Sequence, residues 1–164
     1  MKRLLLCSGF AMITKFCVAQ DAWKIKADKI DPNNYYGITV ANGMIGIVSA
    51  PEPFKVKDVV LAGAYDLYGR GRVSNFLKSF NLLNMYLEID GKRIDGKSAS
   101  GMAQELDMRK ASFTTSFNYG DKATVTYTYY SLRHLPFTVL MDIIITAKKD
   151  VNITGASVME APDA

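Results

Sequence analysis

The sequence predicts an all-β protein, an antiparallel β-sandwich that follows an N-terminal signal segment. From residue 36 onward, short runs of β-branched and aromatic residues recur. Turn sequences separate these runs about every 8–12 residues, which is typical of sandwiches. No helical hydrophobic period of useful length follows residue 20. About nine short strands fit this pattern, and it contains no internal repeat.

The chain has 164 residues, a length that a single domain usually occupies. Its composition, 49% hydrophobic and 22% charged, is that of a globular protein that can bury a core without disulfides or metals. We assign the sandwich domain to residues 21–164. Because the sequence stops directly after a predicted strand, we expect this domain to be truncated at its C-terminus.

Residues 1–20 have the pattern of a secretory signal peptide. Lys2 and Arg3 form a charged start, a largely apolar run follows, and Ala19 provides a small residue near a cleavage point. Lys15 interrupts the apolar run, which argues against a membrane-spanning helix of about 20 apolar residues. An ordinary N-terminal helix is the alternative. The signal predicts export, to the periplasm or as a secreted protein, with no membrane contact after cleavage.

Cleavage of this segment would change both the cysteine content and the charge. Cys7 and Cys17 lie inside it, so we expect no disulfide, thiolate nucleophile or cysteine metal site in the mature chain. The formal net charge of +4 falls to +1 once the three cations of the segment are set aside. A nearly neutral domain lacks the basic surface of a nucleic-acid-binding protein, so we expect no nucleic-acid partner.

Two turn sequences predict tight hairpins. Asn42-Gly43 lies between the apolar runs 36–40 and 44–49, and Asp90-Gly91 lies between a strand at 82–89 and a short one at 92–94. Both pairs favour the type I′ turn, which needs a positive φ at its two central residues.

The remaining strands are predicted from apolar or alternating runs. They are residues 56–61, 111–119, 123–130, 137–147 and 151–158. We expect the last of these to pair back onto the strand before it. Two glycine-containing stretches, 62–78 and 96–101, are predicted to be loops. The first is long for a compact domain, and long ordered loops often have a function.

No residue pattern predicts a catalytic site. His134 is the sole histidine, so it cannot form a two-histidine metal site, and no nucleophile motif accompanies it. Glycosidases use paired carboxylates. Glu88 with Asp90 and Glu105 with Asp107 have a two-residue spacing, but in a sheet this spacing usually marks a solvated face or a turn. We therefore predict structural roles for all five residues, and no catalytic, cofactor or metal residue.

The chain is rich in aromatic residues, which supply 11% of it. Tyr86, Tyr127 and Tyr129 have two possible roles. They could stack on sugar rings, because an aromatic ring offers an apolar face and, in tyrosine, a polar tip. They could equally fill the core of the sandwich, which is the role that we favour.

Five segments, in order, resemble motifs of the N-terminal domain of glycoside hydrolase family 65, which includes maltose, trehalose and kojibiose phosphorylases and related hydrolases. They are residues 42–47 (NGMIGI), 62–66 (AGAYD), 83–91 (LNMYLEIDG), 105–109 (ELDMR) and 130–134 (YSLRH). The chain departs from the family where Val48-Ser49 replaces Arg-Gly, and where Ala111 and Thr115 replace glycine and arginine.

The resemblance implies a β-sandwich that is part of a larger super-sandwich, with the catalytic carboxylates in a following (α/α)6 barrel that this chain lacks. No catalytic residue falls in the matching motifs. Loops at the front of the domain lie near the barrel's pocket in such enzymes. By this resemblance, Tyr65, Asp66, Tyr68 and Arg70 are candidates for a substrate rim. The implied substrate is a disaccharide, and export favours hydrolysis over phosphorolysis, because a sugar phosphate is useful only inside the cell.

Two other functions remain open at this point. A stand-alone secreted carbohydrate-binding module would present an exposed row of aromatic residues. A structural or assembly domain would form a homodimer without affinity for sugars. The predicted partners are therefore a downstream catalytic barrel, a carbohydrate and, in the last case, a second copy of the chain.

Overall fold

The computed structural model of the protein describes residues 21–66, 75–78 and 81–160. The predicted signal segment lies outside this part of the chain. The described residues form strands throughout, apart from a single 3-10 turn at Pro32–Asn34 that Asp31 caps by accepting a hydrogen bond from the Asn33 N–H. None of the helical residues described forms a segment long and apolar enough to cross a bilayer.

Twelve strands lie in this part of the chain, and every pair of neighbours is antiparallel. They are β1 Lys24–Ala27, β2 Thr39–Ala41, β3 Ile45–Ser49, β4 Val56–Asp66, β5 Asn75–Lys78, β6 Asn81–Ile89, β7 Lys92–Arg93, β8 Ala99–Asp107, β9 Ser112–Tyr119, β10 Ala123–Ser131, β11 Val139–Ala147 and β12 Ile153–Glu160. The predicted all-β, antiparallel architecture is confirmed.

The strands form three sheets in a sandwich-like arrangement. A five-stranded sheet, in the order β1-β8-β9-β10-β11, makes one layer. A four-stranded sheet (β2-β3-β4-β5) and a three-stranded sheet (β12-β6-β7) contribute to the other side of the core. All three sheets share one cluster of buried side chains. Its members include Val40, Ile47, Val59, Leu87, Ile89, Phe113, Phe117, Val125, Tyr127 and Tyr129.

β10 shows why the sequence folds in this way. The inward residues of β10 alternate with three threonines on the other face. The inward residues are Ala123, Val125, Tyr127 and Tyr129, and the threonines are Thr124, Thr126 and Thr128. Successive side chains of a strand point to opposite faces, so this period of two places one row in the core and the other outside. The pairing follows the same register, with Val125 opposite Phe117 on β9.

Phe54 joins the two layers from the corner between β3 and β4. Its side chain is fully buried, and its ring lies 4.7 Å from the ring of Tyr127 and 6.0 Å from that of Phe117, measured between centroids. Its backbone has a φ of 61°, which is costly for a bulky residue. The burial of the ring and a hydrogen bond from the Phe54 N–H to the Tyr127 hydroxyl (3.2 Å) offset this strain.

One predicted turn is confirmed and one is wrong in detail. Asp90 and Gly91 have φ values of 54° and 71°, as a type I′ turn requires. In the first hairpin, by contrast, Gly43 and Met44 are the central residues, and only Gly43 has a positive φ, of 92°. The reason is the Asn42 side chain, whose Oδ1 accepts hydrogen bonds from the N–H groups of Met44 and Ile45.

The two predicted glycine-rich loops both contain strand residues. β4 continues through Gly63 to Asp66 and pairs with β5, so the described residues of 62–78 are strand, and residues 67–74 lie outside the described chain. β8 begins at Ala99, before Gly101. Both glycines have a positive φ and lie where the pairing register shifts. A glycine inside a strand often marks such a bulge, so these glycines bend their strands without ending them.

The predicted pairing of the last strand is also wrong. β12 does not pair back onto β11 but crosses to the other side of the core and pairs with β6. The Asp90 N–H donates to the Asn152 carbonyl (2.8 Å), and the Asn152 N–H donates to the Asp90 carboxylate (3.0 Å). These bonds direct the chain to the end of β6. Gly155 then faces Leu87 closely enough that an added Cβ would lie 3.3 Å from it.

Candidate functional site

Two of the four substrate-rim candidates, Tyr65 and Asp66, map to β4. Tyr65 and Asp66 are the last two residues of β4, and their backbones pair with Phe76 and Asn75 of β5. They are therefore strand residues, and the prediction that they lie in a loop is wrong. Tyr68 and Arg70 lie outside the described residues. Their role at a rim stays a prediction.

Glu105 and Asp107 hold β1 against β8. The two oxygens of the Glu105 carboxylate each lie 2.8 Å from a lysine Nζ, one from Lys24 and one from Lys26. Asp107 Oδ1 accepts hydrogen bonds from the N–H groups of Arg109 and Lys110, and so shapes the turn between β8 and β9. The structural role predicted for this pair is confirmed.

Glu88 and Asp90 do not form a catalytic pair either. Asp90 is part of the type I′ turn, its carboxylate accepts the Asn152 N–H, and it forms an ion pair with Lys122. Glu88 lies within β6, opposite Arg93 of β7 on one side. Asp90 thus belongs to the connection at one end of the sheet, and Glu88 to the strand that precedes it.

The pKa values of Glu105 and Asp90 are shifted in the direction opposite to that which a general acid needs. Hydrogen bonds from Lys24 and Lys26 hold the pKa of Glu105 below its ordinary value, and those from Lys122 and Asn152 do the same for Asp90. A general acid of a glycosidase needs a raised pKa so that it keeps its proton near neutral pH. Neither group has the environment that this role requires.

Two of the three tyrosines considered for sugar stacking are core residues. Tyr127 and Tyr129 are almost fully buried, and their rings pack edge to face with centroids 5.7 Å apart. Burial raises the pKa of Tyr127 to about 12 and raises that of Tyr129 further. Tyr86 is half-buried on β6, with the guanidinium of Arg93 lying 4.9 Å from its ring centroid. The core role that we favoured is confirmed for Tyr127 and Tyr129.

His134 lies beside a concave pocket of about 490 Å³ at the end of the five-stranded sheet. We call it the cationic pocket. Two chain segments line it, the β8–β9 turn and the end of β10 with the residues that follow, together with one residue of β2. The lining residues are Ala41, Met108, Arg109, Lys110, Ala111, Tyr130, Ser131, Leu132, Arg133 and His134.

The β9–β10 hairpin brings these two segments together. Ser112 pairs with Tyr130, so the basic residues just before β9 meet those just after β10. The hairpin with its two strands was predicted from the sequence, but its consequence was missed, because Arg109-Lys110 and Arg133-His134 are short and far apart along the chain. Extending the pairing of β9 with β10 past Ser112 and Tyr130 would have placed Lys110 near Leu132 and Arg133, and so would have revealed the basic cluster.

In the part of the chain that the structure describes, no group of three or more histidine, cysteine or acidic side chains is arranged to hold a metal ion. The cationic pocket likewise contains no acidic lining residue. Its chemistry is therefore that of hydrogen-bond donors and positive charge, which suits anions and does not suit cations.

Comparison with known proteins gives a consistent result, although no protein-family model matches the chain. The chain is similar to kojibiose hydrolases. It is 70% identical to the kojibiose hydrolase of Mucilaginibacter mallensis over 155 residues, or 93% of this chain. It is 52% identical to that of Flavobacterium johnsoniae over 161 residues, or 98% of this chain. The chain spans 23% of the length of each of these two relatives.

Proposed function

We propose that this chain is the non-catalytic N-terminal β-sandwich part of an exported glycoside hydrolase of family 65 that acts on kojibiose. The observation that supports this most is the similarity to two kojibiose hydrolases along more than nine-tenths of the chain but only 23% of their length. The five family-65 motifs found in the sequence agree with it.

The carboxylates support the assignment of catalysis to another domain of the proposed enzyme. Glycoside hydrolysis needs one carboxyl group that donates a proton and a second that activates water or attacks the sugar. Three of the four carboxylates weighed for this role, those of Asp90, Glu105 and Asp107, are engaged in turns and ion pairs. In our proposal the catalytic pair belongs to a following (α/α)6 barrel, and this chain supports the barrel and lines its approach.

The rim residues complete the proposal. Tyr65 and Asp66 are the last residues of β4, and we extend the proposal to Tyr68 and Arg70, which follow them in the sequence. The tyrosines among these residues offer the apolar ring that sugars stack on. Export, which the first twenty residues predict, favours water over phosphate as the acceptor of the glucosyl group.

The stand-alone binding module has less support. The exposed aromatic residues among those described are Trp23, Tyr36 and Phe137. They precede β1, β2 and β11 respectively, so none of these strands presents a row of them. Tyr127 and Tyr129, whose alternation resembled such a row, are buried.

The test compares two proteins from the same reading frame, the 164-residue chain and a longer product that includes whatever follows residue 164. Both are incubated with kojibiose, and glucose release is measured with and without added phosphate. We expect hydrolysis by the longer protein alone, independent of phosphate. A reading frame without a further domain, or a longer protein that does not cleave kojibiose, would overturn the proposal.

The rim role has its own test in the longer protein. Arg70→Ala and Tyr68→Ala should raise the KM for kojibiose while changing kcat less, because a rim residue contributes to binding rather than to the bond-breaking step. Lys97→Ala, which removes an exposed charge in the turn before β8, is the matched control. An unchanged KM in both rim variants would remove these residues from the site.

A further inference from the structure

The cationic pocket concentrates positive charge in a chain that otherwise balances it. Arg109, Lys110 and Arg133 line the pocket with His134, and no acidic side chain does so. The nearest acid along the chain, Asp107, is mostly buried and already accepts hydrogen bonds from the backbone of the turn. The residues after the signal segment carry a formal charge of only +1, so the pocket lining is more positive than the domain as a whole.

The charges in the pocket are available to a ligand. Within the described part of the chain, neither Lys110 nor Arg133 forms an ion pair with a carboxylate. Arg109 stacks over the ring of Trp23, with its guanidinium carbon 5.5 Å from the ring centroid. Stacking leaves the in-plane N–H donors of a guanidinium free while fixing its orientation.

Ser131 supplies an independent observation. It lines the same pocket, only 4% of its surface is exposed, and its hydroxyl has no hydrogen-bond partner. A buried hydroxyl without a partner costs free energy, so such groups are rare unless a ligand or water satisfies them. Tyr130, the neighbouring lining residue, carries a second hydroxyl.

Hydrogen bonds attach the loop that contains Arg133 and His134 to neighbouring parts of the fold. Asn42 Nδ2 donates to the Leu132 carbonyl (2.9 Å), and the Leu132 N–H donates to the Thr138 carbonyl (3.3 Å). The opposite wall is fixed by the hydrogen bonds of Asp107 within the β8–β9 turn. The positions of both walls are therefore set before any ligand binds, which lowers the entropic cost of binding.

We propose that the cationic pocket binds a small oxyanion, a phosphate or sulfate group either free in solution or attached to a sugar. Arginine and lysine would donate charge-assisted hydrogen bonds to the oxygens, as they do in phosphate sites, and the Ser131 hydroxyl would donate another. This proposal does not depend on the enzymatic function proposed above, because it rests only on the residues that line the pocket.

The first experiment titrates the 164-residue chain with inorganic phosphate, with sulfate and with a hexose phosphate, at constant ionic strength maintained with sodium chloride. Binding is followed by calorimetry. We expect saturable binding of at least one of these anions, and tighter binding of the hexose phosphate if the natural ligand is a sugar ester. Absence of saturable binding by all three would overturn the proposal.

Two variants then test the assignment of residues. Lys110→Ala combined with Arg133→Ala should weaken binding by about tenfold or more, since two charged donors are lost. The control combines Lys57→Ala with Lys97→Ala, which removes two exposed charges that do not line the pocket. Equal weakening in both double variants would show that only net charge matters, and would contradict the proposal.

Ser131→Ala separates a ligand role from a structural one. The Ser131 hydroxyl makes no hydrogen bond within the protein, so its removal should not lower the free energy of unfolding, yet it should weaken anion binding several-fold. Denaturant unfolding without anion and calorimetry with anion measure the two effects. Unchanged anion affinity in this variant would exclude Ser131 from the site.

Discussion

The hydrogen bond between the Phe54 N–H and the Tyr127 hydroxyl links a strained corner of one layer to the centre of the other. The bond is buried, so its loss leaves a backbone donor without a partner. A group buried in this way costs more than the net gain from an average hydrogen bond. The free energy of unfolding should therefore depend on the hydroxyl oxygen of Tyr127, which is the acceptor for the Phe54 N–H.

Tyr127→Phe should lower the free energy of unfolding by about 1–3 kcal/mol, because it keeps the ring packing but leaves the Phe54 N–H unsatisfied. Urea denaturation followed by circular dichroism measures this loss. Tyr119→Phe, at a half-buried tyrosine at the end of β9, is the control and should change stability less. Equal losses in the two variants would contradict a stabilising role for the hydrogen bond between Tyr127 and Phe54.

The same tyrosine predicts how stability depends on alkaline pH. Burial raises its pKa from 10.0 to about 12, so the fold favours the protonated form. This contribution is fully present below pH 10 and is lost as the pH rises from 10 towards 12. Tyr127→Phe should therefore make the decline in stability over this interval less steep. Unfolding free energies measured at several alkaline pH values test this, and an unaltered slope would contradict it.

At the scale of elements, β1 is held to β8 by charge as well as by backbone pairing. The pKa of Glu105 is below its ordinary value of 4.5, so its ion pairs stabilise the fold above that pH and are lost as the pH falls through the lowered folded pKa. Glu105→Gln should lower the melting temperature slightly at pH 7, and the difference from the unaltered chain should vanish in strong acid. A difference that persists there would show that packing, and not charge, is responsible.

β11 is an edge strand with apolar residues on its outer face. Leu140 and Ile144 are about half exposed, and β10 is its only neighbour among the described strands. Long apolar edges are templates for pairing with other chains. We therefore expect the isolated chain to self-associate or to be poorly soluble.

Ile144→Lys should reduce this self-association, since a charge on an edge strand opposes pairing. Sedimentation velocity over a range of concentrations measures it. Leu82→Lys removes a similarly exposed residue from β6, which has neighbours on both sides, and should have less effect. A chain that is monomeric before any substitution, with a sharp unfolding transition, would contradict the prediction.

Elements defined by neighbouring residues could be predicted from the sequence. The β9–β10 hairpin follows from strict alternation, and the turn at Asp90-Gly91 follows from its two residue types. Gly63 and Gly101 were misleading, because a glycine marks a bulge as readily as a loop and only the partner strand distinguishes them. The pairing of β12 with β6 was out of reach, because nothing near β12 in the sequence indicates a partner so distant.

The whole molecule divides into parts with different chemistry. The described sandwich is balanced in charge, while the lining of the cationic pocket contains basic and no acidic side chains. The turn role of Asp90 could be inferred from its Asp-Gly sequence. The cationic pocket could not be predicted, because it forms only once the hairpin closes and brings two short basic segments together.

The proposed export makes a prediction at the scale of the whole molecule. When the 164-residue chain is produced in a host with a periplasm, its mature product should begin close to Asp21 and lack Cys7 and Cys17. Intact-mass measurement of the periplasmic fraction tests this. Replacing Lys2 and Arg3 with glutamate should retain the protein in the cytoplasm at its full mass, because the charged start is needed for recognition. A periplasmic product that still carries Met1 would contradict the signal assignment.

The crossover of β12 to β6 has a consequence for biosynthesis. Ile89 and Ile153 are paired although 64 residues separate them. At about 5–20 residues per second, a ribosome needs roughly 3–13 s to reach β12 after β6 has been made. During that delay, among the described strands, β6 has only the two-residue β7 to pair with in its own sheet. This sheet is therefore completed late, and nascent chains paused before residue 153 are the ones that should depend most on chaperones.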